Sequence, residues 1–129
     1  MLISNLMTCQ PTTLSPKDTL QTAAAVMKSG GFRRLPIVED GHLVGILTDR
    51  DIRHREHMDS RTIAEVMTAN PKTMTPRMSV EDAARLMIKH RIDGLPVVND
   101  GALVGIVTST DVMKAFLRVE AGVQAIEEG

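Results

Sequence analysis

The first half of this chain is written again in its second half, at an offset of about 60 residues and without a gap. Leu6-Met7-Thr8 stands against Val66-Met67-Thr68, Pro11 against Pro71, and Ala23-Ala24 with Met27 against Ala83-Ala84 with Met87. Leu35-Pro36-Ile37-Val38 returns as Leu95-Pro96-Val97-Val98, and Gly45-Ile46-Leu47-Thr48-x-x-Asp51 returns as Gly105-Ile106-Val107-Thr108-x-x-Asp111. Two copies are too few for an open solenoid, which needs about three or more units to bury its stacked faces. A unit of ~60 residues is also marginal alone, because so small a domain buries a low fraction of its surface. The expectation is two units closed on each other about a pseudo-twofold axis. Such a pair forms a cleft at its seam twice, so two related sites are expected.

Each unit reads as β-α-β-β-α, an α/β (α+β) arrangement. A short extended piece, Pro11–Leu14 or Pro71–Met74, comes first, where Thr and the flanking prolines disfavour helix. A helix is predicted from about Thr19 to Ser29 and again from about Ser79 to His90. Leu20, Ala23, Ala24 and Met27, matched by Val80, Ala83, Ala84 and Met87, recur at i, i+3, i+4, i+7, and Thr19 and Ser79 are N-cap candidates. Two strands follow in each unit, Leu35–Glu39 with Leu43–Leu47 and Leu95–Asn99 with Leu103–Val107. Asp40-Gly41 and Asp100-Gly101 lie between them as hairpin signals. A last helix opens after Thr48 and after Thr108. The units are placed at 7–64 and 67–122, with Thr62-x-x-Glu65 as a capping-box candidate in the linker and no regular structure expected beyond Gly122.

Composition bears on function mainly by exclusion. A net charge of -1 gives no broad electrostatic grip on nucleic acid or an acidic membrane. Aromatic residues at 2%, with no Trp or Tyr, remove the usual platforms for stacking single-stranded bases. Cys9 is the only cysteine, which rules out an internal disulfide and suits a reducing compartment. No segment has the pattern of a signal peptide or the ~18 apolar residues of a membrane span, so a soluble, cytoplasmic protein is expected.

The repeated Thr-x-x-Asp supports two readings. Thr at an N-cap with an acid three residues on is a helix cap. A carboxylate at a strand-to-helix corner can also accept hydrogen bonds from a ribose diol, as it does in dinucleotide folds, with the Thr hydroxyl assisting. Two copies, each behind Gly-aliphatic-aliphatic, leave both readings standing.

The ordered set of Leu-Pro-Val-Val, Asp-Gly and Gly-aliphatic-aliphatic-Thr-x-x-Asp, present twice, resembles a CBS domain pair (a Bateman module) over about residues 6–120. The resemblance implies tandem CBS repeats packed as a pseudo-twofold pair, expected here as a stand-alone module. It also implies a regulatory module that binds adenine nucleotides or adenosyl compounds between the repeats. By that resemblance one site uses Asp51 and Thr48 at the ribose and Arg34 at the phosphate, with Thr68 and the backbone of Pro71, Lys72 and Thr73 facing the base. The mirror site uses Asp111 and Thr108, with Thr8 and the backbone of Pro11, Thr12 and Thr13. The copies differ just before the Leu-Pro strand, with Arg33-Arg34 in one and Asp93-Gly94 in the other. A guanidinium favours phosphate and an aspartate repels it, so the Arg34 and Asp51 site is expected to take phosphorylated ligands. The Asp111 site is left for an uncharged adenosyl group or for none, although Lys72 could replace some of the charge.

No nucleophile, base and orienting acid form a catalytic set, and the glycines spell neither a phosphate loop nor a dinucleotide fingerprint, so no enzyme is expected. No cofactor is implied beyond a regulatory ligand. His54 and His57 share a helix face at i, i+3, but with no third ligand they read as a solvated face rather than a metal site. The signal is expected to pass through a homodimer or an effector protein. A scaffold module with empty clefts is the alternative, and nucleic-acid binding a weaker one.

Overall fold

A computed structural model describes residues 1–53 and 61–128, with side chains described as far as Arg118. The elements in chain order are β1 (Thr8–Cys9), α1 (Leu20–Gly30), β2 (Arg34–Glu39), β3 (His42–Thr48) and α2 (Asp49–Arg53). They continue with β4 (Thr68–Ala69), α3 (Val80–His90), β5 (Gly94–Asn99), β6 (Ala102–Thr108) and α4 (Ser109–Glu128). His54 and His57 lie outside the described residues.

The helices begin where the caps were expected. The Thr22 amide donates to the Thr19 hydroxyl oxygen at 3.1 Å, covering one donor that the helix leaves open. At α3 the cap is reciprocal: the Asp82 amide donates to Ser79 Oγ at 3.1 Å, and the Ser79 amide donates to Asp82 Oδ2 at 3.1 Å. Both helices end in a left-handed residue, Gly31 at φ 70° and Arg91 at φ 54°. Glycine takes that conformation freely, whereas arginine must push its Cβ toward its own carbonyl.

The hairpins turn on Asp40-Gly41 (φ 52° and 79°) and Asp100-Gly101 (φ 51° and 81°), the paired positive angles of a two-residue turn that matches strand twist. All named strands pair antiparallel in one six-stranded sheet. The pairing crosses between the halves. β1 pairs with β6 and β4 with β3, so each half supplies a short strand to the other's hairpin. His42 pairs with Ala102 where the two hairpins meet.

The hydrophobic cores follow the same exchange. Ile3 and Leu6 are buried with Met74, Val80, Leu95, Val97 and Val107 of the second half, while Ile63 is buried with Leu20, Leu35, Ile37 and Leu47 of the first. Matching backbone bonds hold these segments, Ile3 N–H to Met78 O and Ile63 N–H to Asp18 O, each 2.8 Å.

Three local expectations are corrected. The extended segment Pro11–Leu14 is not the paired opening strand, because β1 forms earlier, at Thr8–Cys9. Leu14 instead makes a single parallel bridge to Ile37, as Met74 does to Val97. The proline between them has no N–H to give a ladder. Thr62 precedes the 3-10 turn Ile63–Glu65, but its side chain makes no capping bond. The Ile63 and Ala64 amides already donate to the carbonyls of Asp18 and Pro16. Finally, α4 continues past Gly122 to Glu128. One interior glycine costs about 1 kcal/mol, a penalty that the neighbouring Ala121, Gln124, Ala125 and Glu127 offset by helix propensity.

Two outcomes are expected. Arg91→Gly should stabilise the protein by about 0.5–1 kcal/mol, since relief of the left-handed strain (roughly 1–2 kcal/mol) exceeds the entropy cost of glycine; urea unfolding would measure it. The Ser79 backbone and hydroxyl hold the Asp82 carboxyl below its usual range, with Arg85 adding a smaller pull. A carboxyl depressed in the folded state stabilises above its unfolded pKa and loses that contribution as pH falls through the folded value. Asp82→Asn should therefore unfold with a shallower acid dependence than the parent as pH falls through and below the ordinary carboxylate range.

Candidate functional site

Each Gly-aliphatic-aliphatic-Thr-x-x-Asp run lies on a strand that ends at its Thr and opens a helix at the next residue. The Thr48 amide donates to Asp51 Oδ2 at 2.9 Å, and the Asp51 amide donates to Thr48 Oγ1 at 3.3 Å. At the second corner the same bonds measure 2.8 Å and 3.2 Å for Thr108 and Asp111. The motif is thus a reciprocal helix cap in both halves, and the cap holds each acid in one rotamer at the strand-to-helix corner.

The motif glycines bring the exchanged strands close. A Cβ on Gly105 would stand 3.0 Å from the Thr8 carbonyl oxygen and 2.6 Å from Met7 Sδ. On Gly45 it would stand 3.0 Å from the Thr68 carbonyl oxygen and 2.5 Å from Met67 Sδ. Only hydrogen fits there without moving β1 or β4. The glycine that opens each motif therefore sets the distance at which Thr8 or Thr68 faces its corner.

The residues that differ between the copies lie beside these corners. Arg34 is the register partner of Thr48, and Gly94 of Thr108. The Asp49 amide donates to the Arg33 carbonyl at 2.7 Å, and the Ser109 amide to the Asp93 carbonyl at 2.8 Å. Across the seam the differing pairs meet. Arg34 forms an ion pair with Asp93, and its side chain crosses Gly94 so closely that a Cβ there would stand 2.6 Å from Arg34 Cδ. A second arginine at position 94 would meet the first in both volume and charge.

A cleft of about 540 Å³ opens on this seam. Thr8, Pro11 and Thr12 from the first repeat and Thr108 from the second line it, as the sequence grouped them, with Arg33, Arg34 and Asp93 alongside. The grouping differs at Arg34, which the sequence assigned to the Thr48 and Asp51 corner and the structure brings to the cleft of Thr108. The seam is narrow, so a side chain as long as arginine crosses to the partner repeat. Thr13 and Asp111 do not line this cleft, although Asp111 is tied to it through the cap on Thr108. Thr48, Asp51, Thr68, Pro71, Lys72 and Thr73 occupy the pseudo-symmetric positions on the other side. There Thr68 and Lys72 are exposed, and the other four are half-buried.

Phe32, Ser109 and Thr110 also line the cleft and were not singled out from sequence. Phe32 was the visible signal, one of only two aromatic residues and placed against Ile92 in the repeat register. Its ring covers Gly30 and borders a second hollow of about 530 Å³. Among the described residues, no cluster of three or more His, Cys, Asp or Glu could hold a metal ion.

Exchanged strands, twin capped corners and a cleft lined by both repeats define a paired two-repeat module. The chain belongs to the CBS domain family, whose model matches residues 3–57 and 63–118. It is 43% identical over 113 residues to the CBS domain-containing protein YhcV of Bacillus subtilis (strain 168), covering 84% of this chain and 81% of that protein. It is also 37% identical to inosine-5'-monophosphate dehydrogenase of Korarchaeum cryptofilum, covering 78% of this chain but only 21% of the dehydrogenase.

Among solved structures, the CBS domain pair of protein MJ0100 in complex with 5'-methylthioadenosine and S-adenosyl-L-methionine superposes with a TM-score of 0.84. The two share 36% identity over 90% of this chain and 95% of that one. CBSX2 in complex with AMP superposes with a TM-score of 0.84 at 26% identity, over 92% of this chain and 98% of that one. CBS pairs are regulatory modules, and the match to the dehydrogenase is confined to such a module.

Gly105→Ala should lower stability by about 1–3 kcal/mol, the usual cost of overpacking, by displacing β1. Chemical denaturation would measure the loss, and an unchanged midpoint would refute the close-approach role.

Proposed function

We propose that this chain is a regulatory CBS pair that takes an adenosine-containing ligand in the cleft between its repeats. AMP, ADP, ATP and S-adenosylmethionine-like compounds are the class. The carrying observation is the shared cleft, with Thr8 and Thr12 from one repeat, Thr108 from the other and Arg34 on its wall. In this reading Asp111 and Thr108 serve the ribose, the Pro11–Thr13 backbone faces the base, and Arg33 and Arg34 reach a phosphate. The complexes of MJ0100 and CBSX2 with adenosyl compounds support the ligand class. The Asp51 and Thr48 corner, with Thr68 and Pro71–Thr73, is the second position for such a ligand.

A ligand that touches both repeats binds one relative arrangement better than another and shifts the balance between them. That shift is read by a homodimer or an effector protein in a reducing, cytoplasmic setting, which suits a chain whose one cysteine is exposed. Among the described residues no helix is long and apolar enough to cross a membrane.

One observation favours the alternative of a scaffold with empty clefts: both motif acids are already engaged in helix caps. A thermal-shift panel of AMP, ADP, ATP, NAD and S-adenosylmethionine separates the two. Ligand binding raises Tm by linkage, about 2.7 kcal/mol at a ligand concentration 100 times Kd. The expected result is a shift with a phosphorylated adenosyl ligand that Thr108→Ala reduces. No shift at millimolar ligand would favour the scaffold.

A further inference from the structure

We propose that Asp93 is a specificity-determining residue of the cleft: it holds Arg34 as an internal counter-ion that an anionic ligand group must displace. The inference rests on the reading of this cleft as an adenosyl-ligand site. The Arg34 side chain is 12% exposed and the Asp93 side chain 64% exposed, and both line the same cleft. A guanidinium withdrawn this far from water is unfavourable without a counter-charge, and among the described residues its one ion pair is with Asp93.

The two partners are not equally held. Arg34 is seated in the notch that Gly94 leaves open, whereas the exposed carboxylate can return to solvent at little cost. Two oxygens of a phosphate can accept from the guanidinium fork in the bidentate manner that the two carboxylate oxygens do, so the two compete for one set of donors. A ligand without an anionic group leaves the pair intact. The affinity for an anionic ligand is therefore lowered by the fraction of time that Asp93 occupies Arg34. Because Arg34 belongs to the first repeat and Asp93 to the second, displacing the pair also removes a bond across the seam. Ligand charge is thus converted into a change in the coupling between repeats.

The test compares AMP with adenosine by isothermal titration calorimetry on the full chain. It uses the parent, Asp93→Asn, Asp93→Ser, Arg34→Gln and the double variant Asp93→Asn with Arg34→Gln, and records Tm without ligand. Either Asp93 variant should lower the ligand-free Tm, because the guanidinium loses its counter-charge. It should nevertheless strengthen AMP binding about three- to fivefold, the scale of a partly exposed ion pair, with adenosine unchanged. Arg34→Gln should bring AMP toward the affinity of adenosine, and in that background Asp93→Asn should have no further effect on AMP.

An equal gain for AMP and adenosine, a weaker AMP, or a gain that persists without Arg34 would each overturn the counter-ion role. If AMP binds the parent but the ratio of AMP to adenosine ignores Asp93, the counter-ion proposal fails alone. If neither ligand binds any variant, the ligand reading fails and this proposal falls with it.

Discussion

The strand exchange between the halves is the constraint on which the rest of the structure depends. β1 leaves its own repeat to pair with β6, β4 pairs with β3, and Ile3 and Ile63 are buried in the opposite cores. Neither half closes its sheet or its core alone. The exchange answers the shortage of buried surface that limits a unit of ~60 residues. It also places the start of each repeat against the Thr-x-x-Asp corner of the other, so the cleft is a consequence of how the protein folds.

That geometry reconciles the two readings of the repeated motif. The Thr and Asp side chains cap a helix in each half, and this alone accounts for their spacing. The cap also fixes the carboxylate at a corner beside an exchanged strand. In a short motif of this kind, structural and binding roles call for the same rotamer. The hydrogen bonds of the cap are therefore compatible with a ligand role and do not by themselves demand one.

The difference between the copies acquires its physical reason at the seam. Read along the chain, Arg33-Arg34 and Asp93-Gly94 look like independent changes that make one corner basic and the other acidic. In space they are complementary. Arg34 needs the volume that Gly94 leaves and the charge that Asp93 supplies, so a second copy of Arg33-Arg34 at positions 93 and 94 would bring a clash and an uncompensated guanidinium. The pseudo-twofold symmetry is broken where perfect symmetry would bring like charges together.

The repeat, the helix caps Thr19 and Ser79, the turns Asp40-Gly41 and Asp100-Gly101, and the motif corners were legible from sequence because each depends on local periodicity or on residues within a few positions. The placement of β1 at Thr8–Cys9 was not, since two residues carry no period and pair only with a strand far away in the chain. Phe32, Ser109 and Thr110 entered the cleft unannounced for the same reason: lining a cavity depends on which surfaces meet. By itself the sequence determined a doubled β-α-β-β-α unit and the acids at its corners, through hydrophobic period, turn chemistry and capping. Only the tertiary structure decided that Arg34 crosses the seam to Asp93 over Gly94, because the reach of a long side chain depends on the distance between two halves that no local pattern encodes.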